Sequence, residues 1–178
     1  MDRTDENAMI QAFANKHYDV VYDQICFNPR HTKIAVDAFG DRINRYVVTS
    51  SMAVYGHKDT VIMEDDFSPE QYAYDLEAED YQYDEGKRQT EACLFQNAPF
   101  PVVAARVSMV VSGTDDYTGR FDFYVEHVAK QESIGVFETE HPITYVTAWD
   151  MAEFLQFLGI QTNFVGPINA GNSGYLSI

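Results

Sequence analysis

Three short apolar runs constrain this chain more than any other feature. They are Asp19-Val20-Val21-Tyr22-Asp23-Gln24-Ile25-Cys26, Arg45-Tyr46-Val47-Val48-Thr49-Ser50-Ser51 and Pro101-Val102-Val103-Ala104-Ala105-Arg106-Val107. Each is rich in β-branched residues and too short for a helix. None shows the strict polar–apolar alternation of a strand with one wet face, so each must be covered on both faces. Helix-patterned segments lie between them. This order predicts an α/β fold built on a parallel sheet with flanking helices.

The remaining segments fit that frame. Thr4 or Asp5 can cap a first helix carrying Met9, Ala12 and Phe13 at helical spacing. A second helix is expected from Arg30 to Phe39, stopped by Gly40, and a third from Tyr83 to about Asn97. The stretch from His57 to Asp80 is acidic, contains Pro69 and has no clear period, so it reads as a long surface excursion with one short helix. After a turn-rich loop at Gly113–Gly119, Arg120–Lys130 is helical, and its aromatics Phe121, Phe123 and Tyr124 are expected in the core. A strand at 143–146 leads into a helix from Ala148 to Leu158, stopped by Gly159, and a last strand and turn at 166–171. There are no internal repeats.

The chain has 178 residues, enough for a sizeable core, and 46% of them are apolar. Its net charge of −16 argues against nucleic acid and against an anionic membrane surface as partners. Two cysteines, Cys26 and Cys93, stand without a paired motif. They read as reduced thiols of a cytoplasmic protein. Glu64-Asp65-Asp66 lacks the glycine and spacing of a calcium loop, and the five histidines show no metal-ligand spacing, so no metal is expected.

Chemistry-bearing residues concentrate in two segments, Thr49-Ser50-Ser51-Met52-Ala53-Val54-Tyr55-Gly56 and Tyr83-Asp84-Glu85-Gly86-Lys87. Together they offer a hydroxyl, a phenol and an ammonium. A free phenol titrates near 10, too high for a base at neutral pH, but Lys87 lies one helical turn from Tyr83 on the same face and can stabilise the phenolate.

These segments resemble the extended or atypical short-chain dehydrogenase/reductases of the NAD-dependent epimerase/dehydratase type. Ser51-Met52-Ala53-Val54-Tyr55-Gly56 is similar to that family's Ser-x-x-Val-Tyr-Gly, and Tyr83 with Lys87 matches its Tyr-x-x-x-Lys. Arg106 followed by Val110-Val111-Ser112-Gly113, and Val146–Ala152 with Asp150, resemble two later segments in the same order, although Val107 stands where proline is usual. The resemblance implies a Rossmann-like fold that lacks its first three strands and glycine-rich turn, with a partial domain at 1–110 and a substrate-side segment at 111–178. It implies Ser51, Tyr83 and Lys87 as catalytic residues. It implies NAD or NADP as cofactor, contacted by Gln24, Ile25, Cys26, Thr49, Ser50, Tyr83, Lys87, Val107, Ser108 and Met109. Ser51, Asp116, Tyr117 and Arg120 are then the substrate-side candidates, and the substrate class a small molecule with a hydroxyl or carbonyl, such as a sugar nucleotide.

No Gly-x-x-Gly-x-x-Gly turn occurs in the sequence, and Gly171-Asn172-Ser173-Gly174 leads into no helix, so the pyrophosphate cradle that the resemblance calls for is missing. Two readings stay open: a catalytic portion completed by a further segment or by self-association, and an SDR-like binding or scaffold protein that uses no cofactor.

Overall fold

The computed structural model describes residues 2–78, 80–113, 116, 118–135 and 142–175. The expected alternation produces α1 (Glu6–Phe13), β1 (Val21–Asp23), α2 (Pro29–Phe39), β2 (Tyr46–Ser51), α3 (Tyr83–Asn97), β3 (Val102–Val107), β4 (Met109–Val111), α4 (Arg120–Lys130), β5 (Tyr145–Thr147), α5 (Ala148–Ile160) and β6 (Gly166–Ala170). Local chemistry sets several boundaries. The Asp5 side chain accepts from the Ala8 N–H and caps α1, and Asn28 caps α2 with Pro29 in its first turn.

A four-stranded sheet runs in the order β1-β2-β3-β6, parallel throughout, and β4 pairs with β5 in a separate two-stranded parallel ribbon. Alternation along β2 and β3 sorts the core into two layers. Tyr46, Val48, Val102 and Ala104 pack with Ala35, Val36 and Phe39 of α2 and Leu94 of α3. Val47, Val103, Ala105 and Val107 pack with Met151, Leu155 and Leu158 of α5. The sheet is therefore covered on both faces, as the continuous apolar runs require.

Four sequence expectations need adjustment. β1 has three residues instead of eight: the Asp23 carboxylate accepts from the Ile25 N–H and turns the chain, and Gln24–Phe27 leave the ladder to form a loop against α3. Gly159 does not stop α5; a β-carbon there would meet the Tyr22 hydroxyl at 1.9 Å, so the glycine admits β1's tyrosine against the helix. Phe121, Phe123 and Tyr124 are about half exposed, since α4 buries none of its described side chains. The excursion after β2, expected to hold one short helix, forms two single 3₁₀ turns, at Glu64–Asp66 and Pro69–Gln71, and its carbonyls accept from Gln96 and Arg106. No helix among the described residues is long and apolar enough to cross a membrane.

Two buried ion pairs brace the fold. Glu91 of α3 and Arg106 of β3 are both fully buried and joined at 2.7 Å. Asp23 takes two bonds from Arg3, at 2.7 and 2.8 Å, and one from the Tyr46 hydroxyl. Burial alone would raise the Asp23 carboxyl, but the Arg3 bonds and charge, with the Tyr46 hydroxyl, outweigh it and hold it below the usual carboxylate value. A carboxyl depressed by folding adds stability above its unfolded pKa of about 3.9 and loses it as pH falls through the lower folded value. Urea titrations from pH 7 to pH 2 should therefore show Asp23→Asn flattening the acid limb of the stability profile. Arg106→Met should cost about 3–5 kcal/mol by isolating the Glu91 carboxylate. Arg106→Met with Glu91→Leu should recover only that part of the loss, because the Tyr55 hydroxyl and the Glu64 and Phe67 carbonyls still lack their donor.

Candidate active site

The carboxyl ends of β2 and β3 open into a cleft of about 780 Å³. Its walls include Thr49, Ser50 and Ser51 from β2, Met52 and Ala53 from the following 3₁₀ turn, and Tyr83 at the start of α3. Val107, Ser108, Met109 and Val110 face it from β3 and β4, and Asp116 and Ala148 from farther along the chain. An open parallel sheet places ligands at this end because the strands finish there and leave backbone groups and loops to line a crevice.

Lys87 is the most constrained residue here. It is 2% exposed, and its ammonium donates to the carbonyls of Cys26 and Thr49, each at 2.8 Å. Burial pushes the ammonium below its usual value, while Cys26, Asp23 and Glu91 pull it back. Its Nζ lies 4.7 Å from the Phe27 ring centroid and 5.9 Å from that of Tyr83. Tyr83 is 56% exposed, so its phenol sits at the mouth, on the α3 turn that carries Lys87. Ser51 ends β2; its Oγ accepts from the Ala53 N–H at 3.2 Å and starts the 3₁₀ turn, leaving its own hydrogen for another acceptor.

The structure sorts the other candidates by neighbourhood. The Thr49 hydroxyl donates to Gln24 Oε1 at 2.7 Å, linking the ends of β2 and β1. Ser50 donates to Glu91 and is turned toward the buried pair. The Cys26 thiol is buried, pushed up to about 11 by burial, and offers the site only its carbonyl; Ile25 is half exposed on the same loop. Asp116 accepts from the N–H and hydroxyl of Thr118 within its own loop. Tyr117 lies outside the described residues, as does the side chain of Arg120, whose backbone opens α4.

Some wall residues carried no local signal. Ile143, Thr144 and Ala148 enter the cleft only because β5 pairs with β4 and brings the start of α5 to β3. Phe27 reads in sequence as an ordinary loop aromatic. The Ser50–Glu91–Arg106 chain had no local signal either; it forms because the register sets Ser50 beside Arg106 across β2 and β3.

A nicotinamide cofactor fits part of this geometry. Lys87 has a third ammonium hydrogen beyond its two carbonyl bonds, and the buried Ser108 Oγ in the cleft wall has no hydrogen-bond partner. Both suit a ribose or carboxamide. No glycine turn for a pyrophosphate occurs in the sequence.

No family model and no curated protein matches the chain in sequence. Solved structures match its fold. The Bordetella bronchiseptica enzyme WbmG in complex with NAD superposes with a TM-score of 0.73 at 16% identity, over 99% of this chain and 58% of that one. UDP-glucuronic acid 4-epimerase from Bacillus cereus, in complex with UDP-glucuronic acid and NAD, gives 0.70 at 18% identity, over 100% and 60%. MoeE5 in complex with UDP-glucose and NAD gives 0.68 at 19%, over 97% and 63%. The fold is Rossmann-like, and the chain spans about three-fifths of the length of these structures.

Replacing Lys87 by Met should remove about 2–4 kcal/mol of stability in urea unfolding, because two buried carbonyls lose their donor. Lys87→Arg should not restore it, since a bulkier planar guanidinium does not replace a compact ammonium in so buried a site.

Proposed function

We propose that this chain is the catalytic portion of an NAD(P)-dependent enzyme of the short-chain dehydrogenase/reductase, epimerase/dehydratase type. The observation that carries the reading is that Ser51 and Tyr83 line one cleft at the carboxyl ends of β2 and β3, with Lys87 buried one helical turn from Tyr83 and fixed by two backbone carbonyls. Tyr83 exchanges a proton with a substrate hydroxyl or carbonyl. Ser51 donates to the same substrate oxygen as charge develops on it. Lys87 supplies the fixed positive charge beside the phenol and a remaining hydrogen for the nicotinamide ribose. When bound, the nicotinamide supplies the hydride donor or acceptor. Thr49, Ser50 and the Gln24–Cys26 loop form the ribose side, and Val107, Ser108 and Met109 the nicotinamide side. Asp116, Tyr117 and Arg120 are proposed as the substrate-side residues, with 1–110 serving cofactor and catalysis and 111–178 the substrate.

The substrate class is a small molecule bearing a hydroxyl or carbonyl. Sugar nucleotides lead because two of the matched structures hold them, UDP-glucuronic acid and UDP-glucose. The proton-and-hydride step is common to reduction, epimerisation and dehydration. The outer edge of β1 has no strand partner among the described residues, and Tyr22, Ile25 and Phe27 are exposed beside it. A further segment or a second copy of the chain that pairs with this edge would complete the sheet, and a further segment would also supply the pyrophosphate contacts.

Calorimetric titration with NAD⁺ and with NADPH tests the cofactor half of the proposal. Saturable binding supports it; no binding at millimolar cofactor, by this chain or by a longer polypeptide containing it, overturns it. In a cofactor-competent form, Tyr83→Phe should lower kcat at least about 100-fold. Its stability should stay within about 0.5 kcal/mol, because the phenol is exposed. Unchanged function in that variant would favour the scaffold reading.

A further inference from the structure

The loop between β1 and α2 touches α3 at one place only a residue away from Lys87. A β-carbon on Gly86 would lie 2.4 Å from the carbonyl oxygen of Phe27. That neighbour is backbone, so no rotamer change could relieve the clash, and only glycine lets the loop come this close. The adjacent carbonyl, that of Cys26, receives the Lys87 ammonium at 2.8 Å. The loop is held from the other side as well, since the Asn28 side chain caps α2 by accepting from the His31 N–H at 3.0 Å.

Phe27 itself is oddly placed for a large apolar side chain. It is 46% exposed and belongs to none of the apolar clusters of the core, so core packing does not account for it. Its ring does lie 4.7 Å from Lys87 Nζ, well inside the range at which an aromatic face attracts an ammonium. Lys87 thus has a carbonyl on either side and an aromatic ring over its charge.

We propose that Phe27 and Gly86 are positioning residues for Lys87: Gly86 admits the loop, the Cys26 carbonyl orients the ammonium, and the Phe27 ring covers it against water. What Lys87 does for catalysis rests on the function proposed above, but the clamp can be tested without it.

The test is acylation of the intact chain by acetic anhydride, with each lysine followed by mass spectrometry. Lys33 and Lys130, whose side chains are 48% and 57% exposed, serve as internal standards. Relative to them, Phe27→Leu should raise the labelling rate of Lys87 about tenfold, the equivalent of a lost contact of about 1.4 kcal/mol. Phe27→Tyr, which restores an aromatic face, should stay within about twofold of the parent chain. Gly86→Ala should raise labelling in the same direction as Phe27→Leu; if it fails to fold, the Phe27 pair still decides. Equal labelling of Phe27→Leu and the parent overturns the proposal. So does equal elevation in Phe27→Leu and Phe27→Tyr, which would mean that the ring face contributes nothing. Acylation needs neither cofactor nor substrate, so the clamp can fail while the hydride-transfer reading survives, and loss of that reading in the cofactor titration leaves the labelling result intact.

Discussion

Arg106 holds the functional end of this molecule together. Its guanidinium is fully buried and reaches four residues in three parts of the chain: the Glu91 carboxylate on α3, the Tyr55 hydroxyl after β2, and the carbonyls of Glu64 and Phe67 in the acidic excursion. A guanidinium has five donors in a planar fork, and such a group tolerates burial only when they are satisfied. The rings of Tyr55 and Phe67, 4.9 and 5.1 Å from its central carbon, complete the enclosure. This explains how a segment without apolar periodicity becomes ordered. The excursion supplies carbonyls to a buried cation, and Asn169 of β6 returns a backbone N–H to the Glu64 side chain at 2.9 Å.

The same network shapes the cleft. Glu91 also receives the Ser50 hydroxyl, and Ser50 precedes Ser51 on β2. Ser50 is therefore turned toward α3, and the pleat turns Ser51 to the other side. One turn earlier on α3, Lys87 is fixed by carbonyls from the ends of β1 and β2. α3 is thus joined to the sheet by two buried cation sites, one carrying its charge on the helix and the other on the strand. Together they fix the rotation of the helix, and that rotation decides where Tyr83 emerges.

Much of this was readable from local pattern. The boundaries of α3, β2 and β3 follow from apolar runs and turn residues, and Tyr83 and Lys87 share a helix face because 3.6 residues make a turn. Where reading failed, a distant residue had overridden a local rule. Gly159 carries the ordinary signature of a helix stop, yet it serves the Tyr22 hydroxyl and the helix continues to Ile160. The aromatics of α4 have core-like spacing but stay about half exposed, with Phe123 set against Tyr124 and His127 of the same helix.

The sequence by itself determined the α/β class, the parallel sheet and the order of its main elements, because strand and helix periodicity are properties of neighbouring residues. It also put Ser51, Tyr83 and Lys87 on the right elements. Only the tertiary structure decided that Lys87 is buried beneath Phe27 rather than exposed, that Ser50 faces a buried ion pair, and that Ile143, Thr144 and Ala148 help to wall the cleft. The reason is physical: burial, hydrogen-bond partners and electrostatic neighbours are set by residues far apart in the chain, and no local period encodes which of them will meet.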